Sequence, residues 1–111
     1  QFVAGFNRGD ARARPVSAEL LRLASPPSAA VLGTGLGWLR DVDLRGEAPN
    51  VTAPTLLLHG AADPLMPLAA GQALAALIPG ARLQVLDDCA HAPFLSRPAD
   101  FIAAAAPFVH D

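Results

Sequence analysis

The chain has 111 residues, a hydrophobic fraction of 52% and a formal net charge of −2 at pH 7. This length and composition suit one compact domain or part of one, and they exclude a disordered tail. The near-neutral charge gives no indication of a nucleic-acid partner or of a charged membrane surface, so neither is expected.

Cysteine content and hydrophobic run length suggest where the protein resides. Cys89 is the single cysteine, so no internal disulfide can form within one chain. No apolar run approaches the length of a membrane span, and no signal-peptide pattern opens the sequence. We therefore expect a cytoplasmic, reducing setting. The chain also begins at Gln1 inside an expected helix, which we interpret as a fragment lacking an N-terminal part.

Three helical segments are predicted in the first part of the chain. The first ends near residue 7, the second spans about residues 15–25, and the third spans about residues 28–40. Pro15 or Ser17 can open the second helix, and Ser28 can cap the third. Helical spacing gives each helix one apolar face, and the face of the third helix is predicted to be a buried stripe. For the second and third helices these faces comprise Leu20, Leu21, Leu23, Val31, Leu32, Leu36 and Leu39.

The third helix contains Gly33, Gly35 and Gly37. Each glycine costs roughly 1 kcal/mol relative to alanine inside a helix, so we expect another element to approach it closely. Residues 41–51 are polar and rich in turn formers. They predict a boundary between a helical layer, residues 1–40, and a strand-containing part, residues 41–111.

A strand–helix–strand unit follows this boundary. Residues 54–60 form a short apolar run with proline first and glycine last, which predicts a buried parallel strand. A helix is predicted over residues 68–78, a stop at Pro79-Gly80, and a second strand over residues 81–86. The fold class is therefore predicted to be α/β, with parallel strands and flanking helices.

A last helix is predicted from Ser96, which can act as its N-cap, to about Ala106. Pro98 fits its first turn, and Asp100 lies near its positive end. Pro107 removes a backbone donor and clashes with the preceding turn, so it is expected to kink or end the helix.

Each predicted strand is followed by a residue suited to acid–base chemistry. Asp63 follows the first strand and His91 the second. A right-handed crossover brings the two strand ends to one edge of the sheet, so these side chains can meet. A histidine so paired can take a proton from a serine hydroxyl while the carboxylate fixes its tautomer. Alone, either residue is more often structural; Asp87 and Asp88 are fallback candidates for the acid.

Two segments resemble the α/β-hydrolase family. Residues 54–67, PTLLLHGAADPLMP, are similar to the segment with the catalytic acid, and residues 90–101, AHAPFLSRPADF, to the segment with the catalytic histidine. The second has the form found in pimeloyl-[acyl-carrier protein] methyl ester esterases. Residues 31–39 and 41–45 are similar to the last cap helix of those esterases and its connection to the core.

The resemblance implies a serine carboxylesterase that uses Asp63 and His91, in the chain order Ser, Asp, His. It implies that residues 1–40 are the end of a helical cap and residues 41–111 the C-terminal part of the hydrolase core. The implied substrate is the methyl ester of a pimeloyl chain on acyl-carrier protein. No cofactor and no metal is implied.

One departure from the family pattern concerns the nucleophile. No serine of the chain lies in a G-x-S-x-G turn, and the segment Gly33-Thr34-Gly35-Leu36-Gly37 has glycine where serine would stand. The oxyanion-hole loop is missing as well, so this chain alone is expected to be inactive. Two alternatives stay open: another hydrolase of the family, acting on a small ester, amide, halide or epoxide, or a non-catalytic interaction module.

Aromatic and basic residues give further hypotheses. Phe2 is a candidate substrate-binding residue that could line an acyl pocket, although core packing is the default for it and for Phe6, Trp38 and Met66. A basic surface for an acidic carrier, or simply a solvated helix face, could be formed by Arg8, Arg12, Arg14 and Arg22.

Three further residues are expected to have no catalytic role. His59 is predicted to pack at a strand end near the site. Cys89 is predicted to be a small buried residue rather than a nucleophile. His110 is predicted to be exposed.

Overall fold

The computed structural model describes residues 10–110, in which helices surround a pair of strands. The helices and strands are α1 (Arg14–Leu23), α2 (Ala29–Asp41), β1 (Leu56–Gly60), α3 (Leu68–Leu77), β2 (Arg82–Leu86), α4 (Pro93–Ser96) and α5 (Pro98–His110). Short 3₁₀ turns cover Ala11–Ala13 and Ala48–Asn50. The predicted α/β class is confirmed.

The two strands form a parallel sheet. Leu56 lies opposite Arg82 and Gly60 opposite Leu86, so the strands end at the same level. Helix α3 contacts both strands, and α5 contacts β1. This arrangement confirms the predicted strand–helix–strand unit and its parallel pairing.

The return from α3 to β2 depends on Gly80. Its φ of 72° lies in the left-handed region, which glycine adopts without steric cost. The amide of Ala81 donates to the carbonyl of Ile78 at 3.1 Å, which closes the turn. The predicted stop at Pro79-Gly80 is confirmed, and β2 begins directly after this turn, at Arg82.

Helices α1 and α2 begin where the sequence predicts. Pro15 lies in the first turn of α1. The Ser28 side chain accepts a hydrogen bond from the Val31 amide at 3.3 Å, so it caps α2 as expected.

The predicted burial of the apolar stripe of α2 is wrong for the described residues, since Leu39 is 74% exposed, and the apolar face of α1 is exposed as well. A side chain added at Gly33, Gly35 or Gly37 would meet no described atom within 4 Å, so the expected close approach is also wrong. Helical spacing shows which face is apolar, but it does not supply the element that covers that face. The exposed members are Leu20, Leu21, Leu23, Val31, Leu32, Leu36 and Leu39.

The C-terminal region differs from expectation in two ways. Ser96 is the last residue of the short helix α4 rather than the N-cap of α5, and it is buried. Helix α5 continues through Pro107 to His110, so Pro107 does not end it. Proline removes one backbone donor, and this local loss leaves the following residues able to continue the helix.

The most enclosed part of the described chain is the loop after β2. Cys89 is fully buried, and Ala90 and Ala92 are 2% and 6% exposed. Ser96 and Leu86, at the two ends of this region, are also buried. The loop that carries His91 is therefore fixed by close packing of small side chains. None of the described helices has the length and apolarity needed to cross a membrane.

Candidate active site

The segments that follow β1 and β2 are joined by backbone hydrogen bonds. The amide of Ala61 donates to the carbonyl of Leu86 at 3.0 Å, and the amide of Ala62 donates to the carbonyl of Cys89 at 2.9 Å. Because the strands end level with each other, these bonds hold the two loops side by side. They place the backbone of Asp63 next to the loop that carries His91.

Gly60 allows this close approach. A Cβ atom at this position would lie closer than 3.0 Å to the backbone carbonyls of Cys89 and Ala90. Backbone atoms cannot move aside as a flexible side chain can, so only glycine fits between the strand end and the loop. Glycine at the end of β1 is therefore part of the geometry of the site.

Asp63 and His91 form a direct hydrogen bond, with Nδ1 of His91 2.8 Å from Oδ2 of Asp63. The Asp63 side chain is 6% exposed, whereas that of His91 is 35% exposed. Oδ1 of Asp63 accepts from the amides of Leu65 at 2.8 Å and Met66 at 3.0 Å. The structure thus brings together the two residues that the sequence pairs, and both carboxylate oxygens have donors.

Electrostatics fix the direction of the hydrogen bond. Burial opposes ionisation of Asp63, but hydrogen bonds from the Met66 amide, His91 and the Leu65 amide outweigh it and lower the pKa of the carboxyl group. An ionised carboxylate only accepts hydrogen bonds, so Nδ1 carries the proton. In the neutral imidazole the basic lone pair then lies on Nε2, which is the arrangement a general base requires.

The fallback acids Asp87 and Asp88 are exposed. Their backbone carbonyls accept hydrogen bonds, that of Asp87 from Nη1 of Arg97 at 2.9 Å and that of Asp88 from Nη2 of Arg12. Nδ1 of His91 bonds to Asp63. Of the three aspartates, Asp63 is therefore the one whose carboxylate pairs with His91.

His59 and Cys89 pack as predicted. Cys89 Sγ is buried, 3.5 Å from Oγ of Ser96. Nε2 of His59 lies 2.9 Å from the Met66 carbonyl, and the ring packs against Gly71. His59 thus supports the segment whose amides bind Asp63, a link that the sequence analysis missed. An aspartate whose side chain accepts hydrogen bonds from the amides two and three residues later forms a common turn. The turn at Asp63 could therefore have been predicted from the sequence.

Other predicted residues lie away from the pair or outside the described region. Phe2, Phe6 and Arg8 are outside residues 10–110. The default expectation of core packing is wrong for Trp38 and Met66, which are 75% and 47% exposed because no described element covers them.

The basic residues of the first 3₁₀ turn and of α1 differ in their contacts. Arg12 pairs with Asp10, and Arg22 pairs with Glu19. Arg14 is exposed, as is His110 at the other end of the chain, where exposure was predicted.

A cavity of about 310 Å³ lies beside the pair and is lined by Asp63, His91, Met66, Gly71 and residues of β1. A larger apolar depression of about 460 Å³ lies between residues 44–51 and α3, and neither Asp63 nor His91 lines it. Within residues 10–110, no group of three or more His, Cys, Asp or Glu side chains is arranged to hold a metal ion.

Comparison with known proteins gives a family match over most of the chain. The model of the alpha/beta hydrolase family matches residues 2–105. The pimeloyl-[acyl-carrier protein] methyl ester esterase of Aromatoleum aromaticum is 51% identical over 104 residues, covering 90% of this chain and 41% of the relative. The enzyme of the same name from Edwardsiella ictaluri is 44% identical over 87 residues, covering 78% and 34%. The chain thus spans less than half the length of either relative.

Solved structures agree with this match. An esterase from Exiguobacterium antarcticum aligns with a TM-score of 0.63 and 33% identity, over 66% of this chain and 27% of the esterase. A hydrolase from Pseudomonas aeruginosa aligns with a TM-score of 0.60 and 35% identity, over 65% and 27%. Together with the parallel strands and the family match, these similarities show that the chain belongs to the α/β hydrolase family.

Proposed function

We propose that Asp63 and His91 are the acid and base of a serine carboxylesterase, and that this chain is the part of that enzyme which carries them. The observation that supports this role is the hydrogen bond from Nδ1 of His91 to Oδ2 of Asp63 at the shared end of two parallel strands. A buried, ionised carboxylate behind a partly exposed histidine is the arrangement that proton transfer to and from a serine requires.

The nucleophile is proposed to come from a segment outside this sequence. No serine of the chain lies in a G-x-S-x-G turn. Ser17 and Ser96 are buried, and Oγ of Ser96 lies near the Ala92 carbonyl and Cys89 Sγ, so neither hydroxyl is presented to a substrate. The coverage of only 41% of the Aromatoleum relative supports this view. The division into a cap over residues 1–40 and a core over residues 41–111 belongs to the same proposal.

The proposed reaction is acyl transfer in two steps. Nε2 of His91 takes the serine proton as the serine oxygen attacks the ester carbonyl carbon. The tetrahedral adduct collapses, the bond to the alkoxy oxygen breaks, and the histidinium protonates the leaving alcohol. Water then attacks the acyl-serine with His91 again as base, which releases the carboxylic acid and restores serine. Asp63 stays ionised throughout and stabilises the histidinium.

The proposed substrate is the methyl ester of a pimeloyl chain on acyl-carrier protein, with methanol as the leaving alcohol. This choice is supported by the relatives, which are named as esterases for that compound. An acidic carrier would be attracted by exposed basic side chains, and Arg14 is the described candidate for such a contact.

The test uses a hybrid enzyme in which the segment of the Aromatoleum relative that matches this chain is replaced by the matching part of this chain. The hybrid should release methanol from the pimeloyl carrier ester, and the same hybrid with His91→Ala should not. A hybrid that folds by circular dichroism but hydrolyses no ester, while the relative itself does, would contradict the proposed function. If the hybrid hydrolyses small esters but not the carrier ester, the proposed esterase activity stands and the proposed carrier substrate is rejected.

The carrier contact has its own control. Arg14→Ala in the hybrid should raise KM for the carrier ester and reduce its salt dependence, with little change on a small free ester. Arg40→Ala removes an exposed arginine that pairs with Asp41 and should change neither. Equal losses on both substrates in Arg14→Ala would reject the docking role.

A further inference from the structure

We propose that Asp10 and Arg12 are positioning residues that hold the loop of His91 in its working geometry. The inference rests on the proposed role of His91 as the base. It assigns Arg12 a role in supporting the loop that carries His91 rather than a role on a carrier-binding surface. The contacts that support it connect the first described turn of the chain with residues more than 70 positions later.

Arg12 bridges a buried carboxylate and the backbone of the loop. Its amide and Nε both donate to Oδ1 of Asp10, at 3.2 Å each. Its Nη2 donates to the carbonyl of Asp88. The Asp10 side chain is 2% exposed, so the carboxylate has a fixed position and the guanidinium is oriented by it.

The loop needs such support because its backbone is strained at Asp88. The φ of Asp88 is 50°, a left-handed conformation that costs free energy for a residue other than glycine. The adjacent carbonyl of Asp87 accepts from Nη1 of Arg97 at 2.9 Å. Two arginines from different parts of the chain thus hold consecutive carbonyls, three and four residues before His91.

Asp10 also lies close to the other end of the loop. Burial opposes ionisation of Asp10, but the Ser96 hydroxyl and Arg12 outweigh it and lower the pKa of the carboxyl group. Ser96 follows His91 by five residues and ends α4. The 3₁₀ turn that follows Asp10 also contacts α4. Asp10 and Arg12 therefore lie between the Asp88 side of the loop and the helix turn on its far side.

The contact predicts a specific kinetic effect. Without Arg12 the loop can shift, and a displacement of about 1 Å at a catalytic group can cost up to about 100-fold in rate. In the hybrid, Arg12→Ala should lower kcat on a small free ester about 10- to 100-fold with little change in KM. Asp10→Asn, which keeps the side-chain shape and removes the charge, should act in the same direction. Arg12→Lys keeps the charge and one donor direction, so it should recover part of kcat.

A spectroscopic readout on the 111-residue chain tests the same contact without enzymatic activity. The proton on Nδ1 of His91 is held by Asp63 and should give a resolved downfield NMR signal that Asp63→Asn abolishes. Arg12→Ala and Asp10→Asn should broaden or shift this signal. Arg40→Ala, which removes an exposed ion pair far along the chain, should leave it unchanged.

The outcomes separate this inference from the proposed function. The hybrid can be inactive while the His91 signal of the 111-residue chain responds to Arg12→Ala. This result would reject the proposed esterase function and support the positioning role. An active hybrid in which Arg12→Ala raises KM only for the carrier ester, with an unchanged His91 signal, would overturn the positioning role and make Arg12 a docking residue. If Arg12→Ala fails to fold, Asp10→Asn decides: an unaltered His91 signal and full kcat in that variant would also overturn the positioning role.

Discussion

Oδ2 of Asp63 lies 2.8 Å from Nδ1 of His91, although 28 positions separate the two residues in sequence. The distance follows from two parallel strands that end level with each other and from backbone hydrogen bonds between the loops after them. The pair is thus set by the architecture of the sheet end, and its side chains need little further adjustment to meet.

If the pair works as a unit, removing either member should remove most of what both contribute. In the hybrid, Asp63→Asn should reduce kcat by about 10³–10⁴ with little change in KM, because the amide favours the wrong histidine tautomer. His91→Ala should cost at least as much. The double variant should be no worse than His91→Ala alone, since residues that act together are strongly non-additive. Steady-state kinetics on a small ester measure all three.

The control for this prediction comes from the neighbouring acids. Asp87→Asn and Asp88→Asn remove exposed carboxylates, and asparagine tolerates the left-handed backbone at position 88. Both variants should keep kcat near that of the parent. If Asp88→Asn is crippling while Asp63→Asn is active, the acid is misassigned, although His91 would remain the base.

A second prediction concerns the 111-residue chain by itself. With no nucleophile in a G-x-S-x-G turn, it should not hydrolyse p-nitrophenyl acetate or butyrate above a boiled control. Activity that His91→Ala abolishes would show that a residue of this chain serves as nucleophile. That result would contradict the proposal that the serine lies elsewhere.

The pairing of Asp63 with His91 could be predicted from sequence because its signals are local. The apolar run before Gly60, the stop at Gly80 and the second strand fix where each loop begins. Parallel pairing then brings the loops together with no further information. The contact of Arg12 with Asp88 could not be predicted in this way, because no local pattern relates residues 76 positions apart.

Burial was the weaker part of the sequence prediction. The spacing of Val31, Leu36 and Leu39 correctly indicates one face of α2, but burial requires a second surface against it. Pro107 shows a related limit. A local rule gives the cost of a proline in a helix, but α5 continues through Pro107 to His110 all the same.

A third prediction follows from the lowered pKa of Asp63. In the folded chain this carboxyl group ionises below its ordinary value of 3.8, so the unfolded state takes up a proton first as the pH falls. Its contribution to the free energy of unfolding is complete above about pH 4 and is lost as the pH falls from 3.8 towards the lowered pKa. Asp63→Asn should remove this part of the acid sensitivity.

Urea unfolding of the 111-residue chain between pH 7 and pH 3 measures this effect. The free energy of unfolding should fall more steeply with acid in the parent than in Asp63→Asn. Asp87→Asn removes one exposed negative charge and controls for net charge. Parallel pH dependences in the parent and Asp63→Asn would mean that hydrogen bonding does not stabilise the ionised carboxylate.

The last prediction compares one substitution at two glycines. At Gly60 an added methyl group would collide with the carbonyls of Cys89 and Ala90, and relief requires the His91 loop to move. Gly60→Ala should therefore destabilise the chain by about 1–3 kcal/mol and lower kcat of the hybrid. At Gly35 an added methyl group would point into open space on α2, so Gly35→Ala should stabilise the helix by up to about 1 kcal/mol.

Urea unfolding should show changes of opposite sign in the free energy of unfolding for Gly60→Ala and Gly35→Ala. A Gly60→Ala chain as stable as the parent, with full kcat in the hybrid, would show that the strand end and the loop are not in the close contact that fixes the site.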